Sequence, residues 1–238
     1  MSISVILPTY NEAISINKLI DQIISIVEKV ECDYEIIIVD DNSPDKTYEV
    51  VRDAHAANKK VLPLLRTKEK GLATAILHGI RQASYDKILV MDTDFNHPPD
   101  LIPIMVDITD YYDICVGSRY IIGGGMNAPR WHYIGSKIFN LFIRTIIGSQ
   151  THDNMSGFFI FKKEILTSLR CENIFYGYGD YFIRFLYSVQ KLNKSLVEIP
   201  VYYQPRESGV SNTNFLKEIV RYTKTVFKIR LRMENYYR

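Results

Sequence analysis

Cysteine is scarce in this sequence. Cys32, Cys115 and Cys171 stand far apart and are odd in number. They offer no disulfide framework and no zinc spacing, so a reducing compartment is the simplest expectation. Long apolar runs are missing as well: no stretch of about 18 apolar residues occurs, which excludes a membrane-spanning segment among these residues. The first residues read as a strand, without the charged start and apolar core of a signal peptide. The glycine fingerprints of P-loop and Rossmann phosphate sites are absent, and residues 70–72 (Lys-Gly-Leu) are too short to count as a phosphate loop. The net charge of +2 gives no global case for nucleic acid. No repeat, low-complexity tract or dividing linker interrupts the 238 residues.

The composition is that of a globular chain, 47% hydrophobic and 24% charged, and long enough to bury a substantial core. Charge is uneven only at the end. From Arg206 to Arg238 there are eight Lys or Arg against three Glu, which points to an anionic partner. Residues 2–8, 34–39, 61–65 and 87–91 are short apolar or β-branched runs of strand length. Between them, residues 16–30, a segment opened by Ser43 and Pro44 and running to about residue 58, and residues 72–83 have helical character. This alternation predicts an α/β fold, with a mostly parallel central sheet and helices on both faces. The second half is less regular. Strands are expected at 114–118, 158–161 and 197–203, and helices at 133–147, 180–191 and 215–233.

In such sheets ligands bind at the carboxyl ends of the strands. Here those ends carry residues 8–12 (Pro-Thr-Tyr-Asn-Glu), Asp40 and Asp41, and Asp92, Thr93 and Asp94. Asp92 and Asp94 are spaced i, i+2, which points both carboxylates to one side of an extended chain. Two such carboxylates can hold a hard divalent cation with positions left open for phosphate oxygens. A lone Asp-x-Asp is more often a loop of solvated acids; the acids gathered at neighbouring strand ends favour the cation.

Six motifs occur together in order: residues 8–12, 39–45 (Val-Asp-Asp-Asn-Ser-Pro-Asp), 91–99 (Met-Asp-Thr-Asp-Phe-Asn-His-Pro-Pro), 116–120 (Val-Gly-Ser-Arg-Tyr) with 123–125 (Gly-Gly-Gly), 156–158 (Ser-Gly-Phe), and 199–201 (Ile-Pro-Val) with Arg206. The set resembles glycosyltransferase family 2, and within it the dolichol-phosphate mannose synthase group, over residues 2–212. The resemblance implies a GT-A fold, with residues 1–212 as the transferase domain and 213–238 as a basic amphipathic C-terminal helix. It implies inverting transfer of a hexose from a nucleoside-diphosphate sugar to a polyprenyl monophosphate, with GDP-mannose favoured over UDP-glucose and Mg²⁺ or Mn²⁺ as cofactor.

Carried over residue by residue, the resemblance gives Pro8, Tyr10, Glu12, Val39, Asp41, Asp92, Thr93, Asp94, Arg119 and Arg206 contacts to the nucleotide sugar, with Asp94, Arg119 and Arg206 as the catalytic set. Asp92, Asp94 and Asn96 are the metal ligands, and Asn96 departs from the family's usual Gln. His97 is read as structural. Arg130, Ser136 and Asn212 are acceptor-phosphate contacts. His132 stands where an Arg is usual, with Arg130 two residues away as its substitute, and Asn212 stands where a Lys is usual. Arginines suit a reaction between two anions, because a guanidinium makes permanent bidentate contacts to phosphate.

A polyprenyl acceptor requires attachment to a membrane surface, on its cytoplasmic face. The segments 133–147 and 215–237 are the candidate interfacial helices, and a membrane-anchoring partner subunit is a second means of attachment. Phosphate acceptors need no general base, whereas a sugar-hydroxyl acceptor in surface-polysaccharide synthesis does. Asp180 is the residue available for that alternative; its other reading is a helix-start or orienting group. A binding module that retains only the nucleotide pocket is the third reading.

Overall fold

The structure, a computed structural model, describes residues 1–204 and 215–238. Its first half alternates as the sequence predicts: β1 (Ser2–Thr9), α1 (Ile16–Lys29), β2 (Asp33–Asp40), α2 (Thr47–Ala54), β3 (Val61–Leu65), α3 (Leu72–Gln82) and β4 (Lys87–Val90). The second half contributes α4 (Ile102–Ile108), β5 (Ile114–Ser118), β6 (Gly125–Met126), α5 (Arg130–Ile147), β7 (Phe159–Lys162), α6 (Cys171–Ile174), α7 (Asp180–Lys191), β8 (Leu196–Pro200), β9 (Tyr202–Tyr203) and α8 (Phe215–Arg230). Seven strands form one sheet in the order β3-β2-β1-β4-β7-β5-β8. Only β7 runs antiparallel, between β4 and β5. β6 and β9 make a separate parallel pair.

The apolar runs lack the polar alternation of a half-exposed strand because both faces of the sheet are covered. In β2, Ile37 and Val39 enter one core with α3, α5, α7 and α8, while Ile36 and Ile38 enter the other with α1, α2 and α4. Each of these four side chains is fully buried, which contributes about 1.5–3 kcal/mol apiece relative to exposure. Chain order makes β1 and β4 the switch point: from β1 the chain moves outward to β2 and β3, then returns to β4 on the other side. The carboxyl ends of β2, β1 and β4, with their acids, are therefore adjacent, and a crevice opens there.

Several boundaries differ from the sequence expectation, among them an α2 that ends at Ala54 and an α5 that starts at Arg130. α2 starts at Thr47, beyond the expected Ser43–Pro44 start, because Asp40 claims Ser43. Its Oδ1 accepts the Ser43 hydroxyl at 2.5 Å and its Oδ2 accepts the Ser43 N–H at 2.9 Å. Asp45 Oδ1 receives the first helical N–H, that of Thr47, at 3.1 Å. The strand expected at 197–203 divides at Pro200, after which Val201 donates to Ser118 O and Tyr202 moves to β6. α8 ends at Arg230, and Val226, Ile229 and Tyr236 join the core beneath α5 and α7.

α3 lies close enough to the sheet that Gly79 has no room for a side chain. A Cβ there would come within 2.7 Å of Ile6 Cγ2 and 3.0 Å of Val39 Cγ2. Overpacking costs about 1–3 kcal/mol against the roughly 1 kcal/mol that Ala gains in helix propensity, so Gly79→Ala is expected to lower stability by about 1–2 kcal/mol. Chemical denaturation of the variant reads the sign directly.

Candidate active site

A cleft of about 400 Å³ occupies the β1/β4 crevice. Of the residues singled out in the sequence, Pro8, Tyr10, Glu12, Asp41, Asp92, Thr93 and Asp94 line it. Thr9, Lys70, Gly71, Leu72, Ala75 and Tyr178 complete the wall. Residues 70–72, too short for a phosphate loop, still contribute to the wall, because Gly71 stands at the start of α3 beside the crevice. Tyr178 arrives from the loop before α7, and no local pattern marks it. Val39 does not line the cleft. Its side chain is fully buried in the core against the Gly79 backbone, as its period-2 position dictates.

Four of the lining residues are carboxylates, Glu12, Asp41, Asp92 and Asp94, and Lys70 is the only cation among the described lining residues. Lys70 Nζ sits 5.3 Å from the centre of the Tyr10 ring, within reach of a cation–π contact. Asp41 is neutralised from behind. Arg66 Nε lies 2.6 Å from its Oδ1, with the two side chains 5% and 9% exposed, and the Gly71 N–H donates to its Oδ2 at 2.6 Å. Arg66 also reaches Thr74 Oγ1 at 3.1 Å, so one guanidinium ties the end of β2 to the start of α3. Gly71 has φ +134°, a conformation that L side chains rarely adopt.

Asp94 is buried, whereas the Asp92 side chain is 45% exposed. Asn96 turns back onto Asp94, its backbone N–H donating to Oδ1 at 3.2 Å and its Nδ2 to Oδ2 at 2.7 Å. No group of three or more His, Cys, Asp or Glu able to hold a metal occurs among the described residues. Asp92 and Asp94 nevertheless fit Mg²⁺ or Mn²⁺ of the nucleotide-dependent kind. Such ions take one or two carboxylates and complete their shell with phosphate oxygens and water. Asn96 is brought to the pair, with its amide on Asp94.

His97 is fully buried and stacks on Phe158 at 5.0 Å between ring centres. Burial pushes its pKa down to about 4, against the opposing pull of Asp94. It is a neutral structural residue, as the sequence reading has it. Arg119 is also buried and does not line the cleft. Asp153 grips its Nε and Nη2 at 2.8 Å each, and its guanidinium lies over the Tyr203 ring at 4.6 Å. The guanidinium forms a paired internal charge, because a buried guanidinium must find a carboxylate.

Asp180 is 3% exposed at the first residue of α7. It pairs with Arg184 and accepts from Thr225 Oγ1 at 2.9 Å and from the Tyr178 N–H at 3.0 Å. That is an orienting, helix-start arrangement, with both carboxylate oxygens engaged by groups of the chain itself. Arg130 is exposed at the start of α5, and Ser136 Oγ accepts the Tyr120 hydroxyl at 2.7 Å. Arg206 and Asn212 lie outside the described residues.

A family model described as glycosyl transferase family 2 matches residues 4–170. A dolichol-phosphate mannosyltransferase of Pyrococcus furiosus is 34% identical over 234 residues, 96% of this chain and 64% of that protein. An undecaprenyl-phosphate mannosyltransferase of Micrococcus luteus is 29% identical over 216 residues, 89% of this chain and 87% of that protein. The chain thus spans just under two thirds of the length of the Pyrococcus furiosus relative. The glucosyl-3-phosphoglycerate synthase of Mycobacterium tuberculosis, solved with Mn²⁺, UDP and glucosyl-3-phosphoglycerate, superposes with a TM-score of 0.69 at 21% identity, covering 98% of this chain and 81% of that one. That likeness shows the fold, and the GT-A architecture expected from the motifs is the one found.

His97 sets a pH dependence of stability. Its folded pKa of about 4 lies below the ordinary 6.5, so between these values the unfolded chain binds a proton that the folded chain does not. Stability is full above pH 6.5 and is lost as pH falls through this window. From pH 7 to 5 the loss attributable to His97 is about 2 kcal/mol. Denaturation of the metal-free protein at the two pH values should show a steeper drop than His97→Asn by that amount.

Proposed function

The chain belongs to glycosyl transferase family 2, and from that premise we propose that it transfers a hexose from a nucleoside-diphosphate sugar to a polyprenyl monophosphate with inversion. The favoured donor is GDP-mannose, with UDP-glucose second. The single observation that carries this reading is the charge of the cleft: four carboxylates and one lysine line it among the described residues. A diphosphate enters such a cleft only with a divalent cation, and Asp92 and Asp94 are the residues that would hold it. Bound there, Mg²⁺ or Mn²⁺ would offset the charge that develops on the departing nucleoside diphosphate.

The chain's own groups do the rest. Tyr10, Asp41 and Gly71 form the end suited to the nucleoside, with Asp41 paired to and oriented by Arg66. Lys70 supplies the lining cation. A phosphate monoester is already an anion near neutral pH, so transfer to it needs no base, and Asp180 is committed to Arg184. This favours the lipid phosphate over a sugar hydroxyl as acceptor. The relatives named for dolichol phosphate and undecaprenyl phosphate support the same acceptor class. Arg130, Ser136, Arg206 and Asn212 are assigned to phosphate contacts on the motif resemblance alone.

No helix among the described residues is long and apolar enough to cross a membrane. α5, however, exposes Trp131 (71%), Ile134, Ile138 and Leu141, spaced along one helical face with Arg130, Lys137 and Arg144 beside them. α8 adds exposed Phe227 among Lys217, Lys224 and Lys228. An apolar stripe with basic flanks suits an anionic lipid surface, and we assign it to peripheral attachment on the cytoplasmic face, with or without an anchoring partner subunit.

With a short polyprenyl phosphate in detergent and Mg²⁺ or Mn²⁺, radiolabelled donor should yield an organic-extractable, mild-acid-labile product. Label confined to water-soluble oligosaccharide would reject the lipid acceptor. Asp94→Ala should lower turnover by about a hundred- to thousandfold, the equivalent of losing several kcal/mol of charge stabilisation. Ile138→Glu should weaken co-sedimentation with anionic vesicles by roughly tenfold, while leaving nucleotide binding unchanged.

A further inference from the structure

Behind the cleft runs a buried chain of hydrogen bonds whose two central side chains, His97 and Tyr203, do not line the cavity. The Asp92 N–H donates to His97 Nδ1 at 2.9 Å. His97 Nε2 lies 2.9 Å from the Tyr203 hydroxyl, and that hydroxyl donates to Ser156 O at 2.7 Å. His97 is 0% exposed and Tyr203 8%. The chain joins the loop after β4 to β9 and to the loop before β7, segments more than a hundred residues apart at its extremes.

The first link sets the direction of the imidazole, and the Tyr203 hydroxyl has a second neighbour in Ser156 Oγ at 3.0 Å. Nδ1 accepts from a backbone N–H, so the proton of the neutral ring is on Nε2. Nε2–H must then donate to the Tyr203 oxygen, which leaves the phenol hydrogen for the Ser156 carbonyl. Ser156 Oγ in turn donates to Gly117 O, completing a set with no idle member. Reversing one link would set two donors or two acceptors face to face in a dry site, which costs more than the hydrogen bond is worth.

The aspartate loop has need of such a brace. Phe95, between Asp94 and His97, sits at φ +63°, a left-handed conformation that L residues adopt only where their surroundings impose it. The brace is itself held. Phe158 stacks on the imidazole with an interplanar angle of 14°, and Arg119, gripped by Asp153, lies over the Tyr203 ring.

We infer that Tyr203 and His97 are positioning residues for the aspartate pair: through the Asp92 amide they fix the path of residues 92–94, and hence the separation of the two carboxylates offered to a cation. The inference rests on the proposed cation role of Asp92 and Asp94. It assigns the Arg119–Asp153 pair a place as well, as the clamp on Tyr203. Because this function resides in the Tyr203 hydroxyl, a phenylalanine at that position would keep the ring, the stacking and the core while losing the relay.

The test has one arm without metal and one with it. In the metal-free protein at pH 7, long-range proton–nitrogen NMR of labelled histidine should find His97 with its proton on Nε2. Tyr203→Phe should speed exchange of the Asp92 amide by about tenfold, the loss of one modest hydrogen bond. A proton on Nδ1, or unchanged exchange in Tyr203→Phe, overturns the relay. In the second arm, Mn²⁺ binding in the presence of GDP, and separately UDP, is read by the resonance signal of free Mn²⁺. Tyr203→Phe should raise the Mn²⁺ Kd by about tenfold, the scale of outer-shell losses at metal sites. His97→Asn, which keeps an acceptor at the Nδ1 position, should bind Mn²⁺ more tightly than His97→Leu. Equal Mn²⁺ affinity in wild type and Tyr203→Phe overturns the positioning role even where the relay exists. Failure of the wild type to bind Mn²⁺ with either nucleotide overturns the cation reading itself, and the metal-free arm keeps that failure distinct from failure of the relay.

Discussion

Four carboxylates brought into one cleft repel one another, and the sheet topology leaves them no means of separating. β2, β1 and β4 are neighbours, so the acids at their carboxyl ends are neighbours too. The chain answers at one end of the cleft from within: Arg66 and the Gly71 N–H neutralise and orient Asp41. At the other end Asn96 places a neutral amide on Asp94. That second end, with Asp92 and Asp94 side by side, is the one we assign to an external divalent ion and to the diphosphate that accompanies it.

The other buried charges serve geometry. Arg119 with Asp153 holds the Tyr203 ring, and Arg184 with Asp180 holds the loop that delivers Tyr178 to the cleft. A buried pair of this kind adds little net stability, because desolvation offsets the attraction, but removing either partner is costly. Such pairs therefore fix a loop in one arrangement. Asp180 illustrates the point: its oxygens are taken up by Arg184, Thr225 and the Tyr178 N–H, which order the Tyr178 loop.

Much of this was legible in the sequence because it depends on local pattern. Doubly buried strands declare themselves by apolar runs without alternation, and the acids that follow them mark the ligand edge; Pro8, Tyr10, Glu12, Asp41, Asp92, Thr93 and Asp94 all reach the cleft. Val39 belongs to the same motif as Asp41, yet strand alternation sends its side chain into the core. What pattern could not supply was long-range partnership. The segment around Arg119 reads the same whether the guanidinium faces a ligand or a carboxylate, and its partner Asp153 lies 34 residues away. Ser43 and Pro44 are a sound helix start until Asp40 takes the serine hydroxyl. Lys70 and Gly71 become part of a site only because α3 is docked with its first residue facing the crevice.

The central claim is that the cation held by Asp92 and Asp94 is what admits a nucleoside diphosphate to an acidic cleft. Calorimetric titration of GDP, and separately UDP, into the protein with and without Mn²⁺ tests it most directly. The account predicts that Mn²⁺ raises the affinity of the wild type for at least one of the two by about tenfold or more, at least 1.4 kcal/mol, and leaves the affinity of Asp94→Ala unchanged. Equal affinity of the wild type with and without the cation would contradict it.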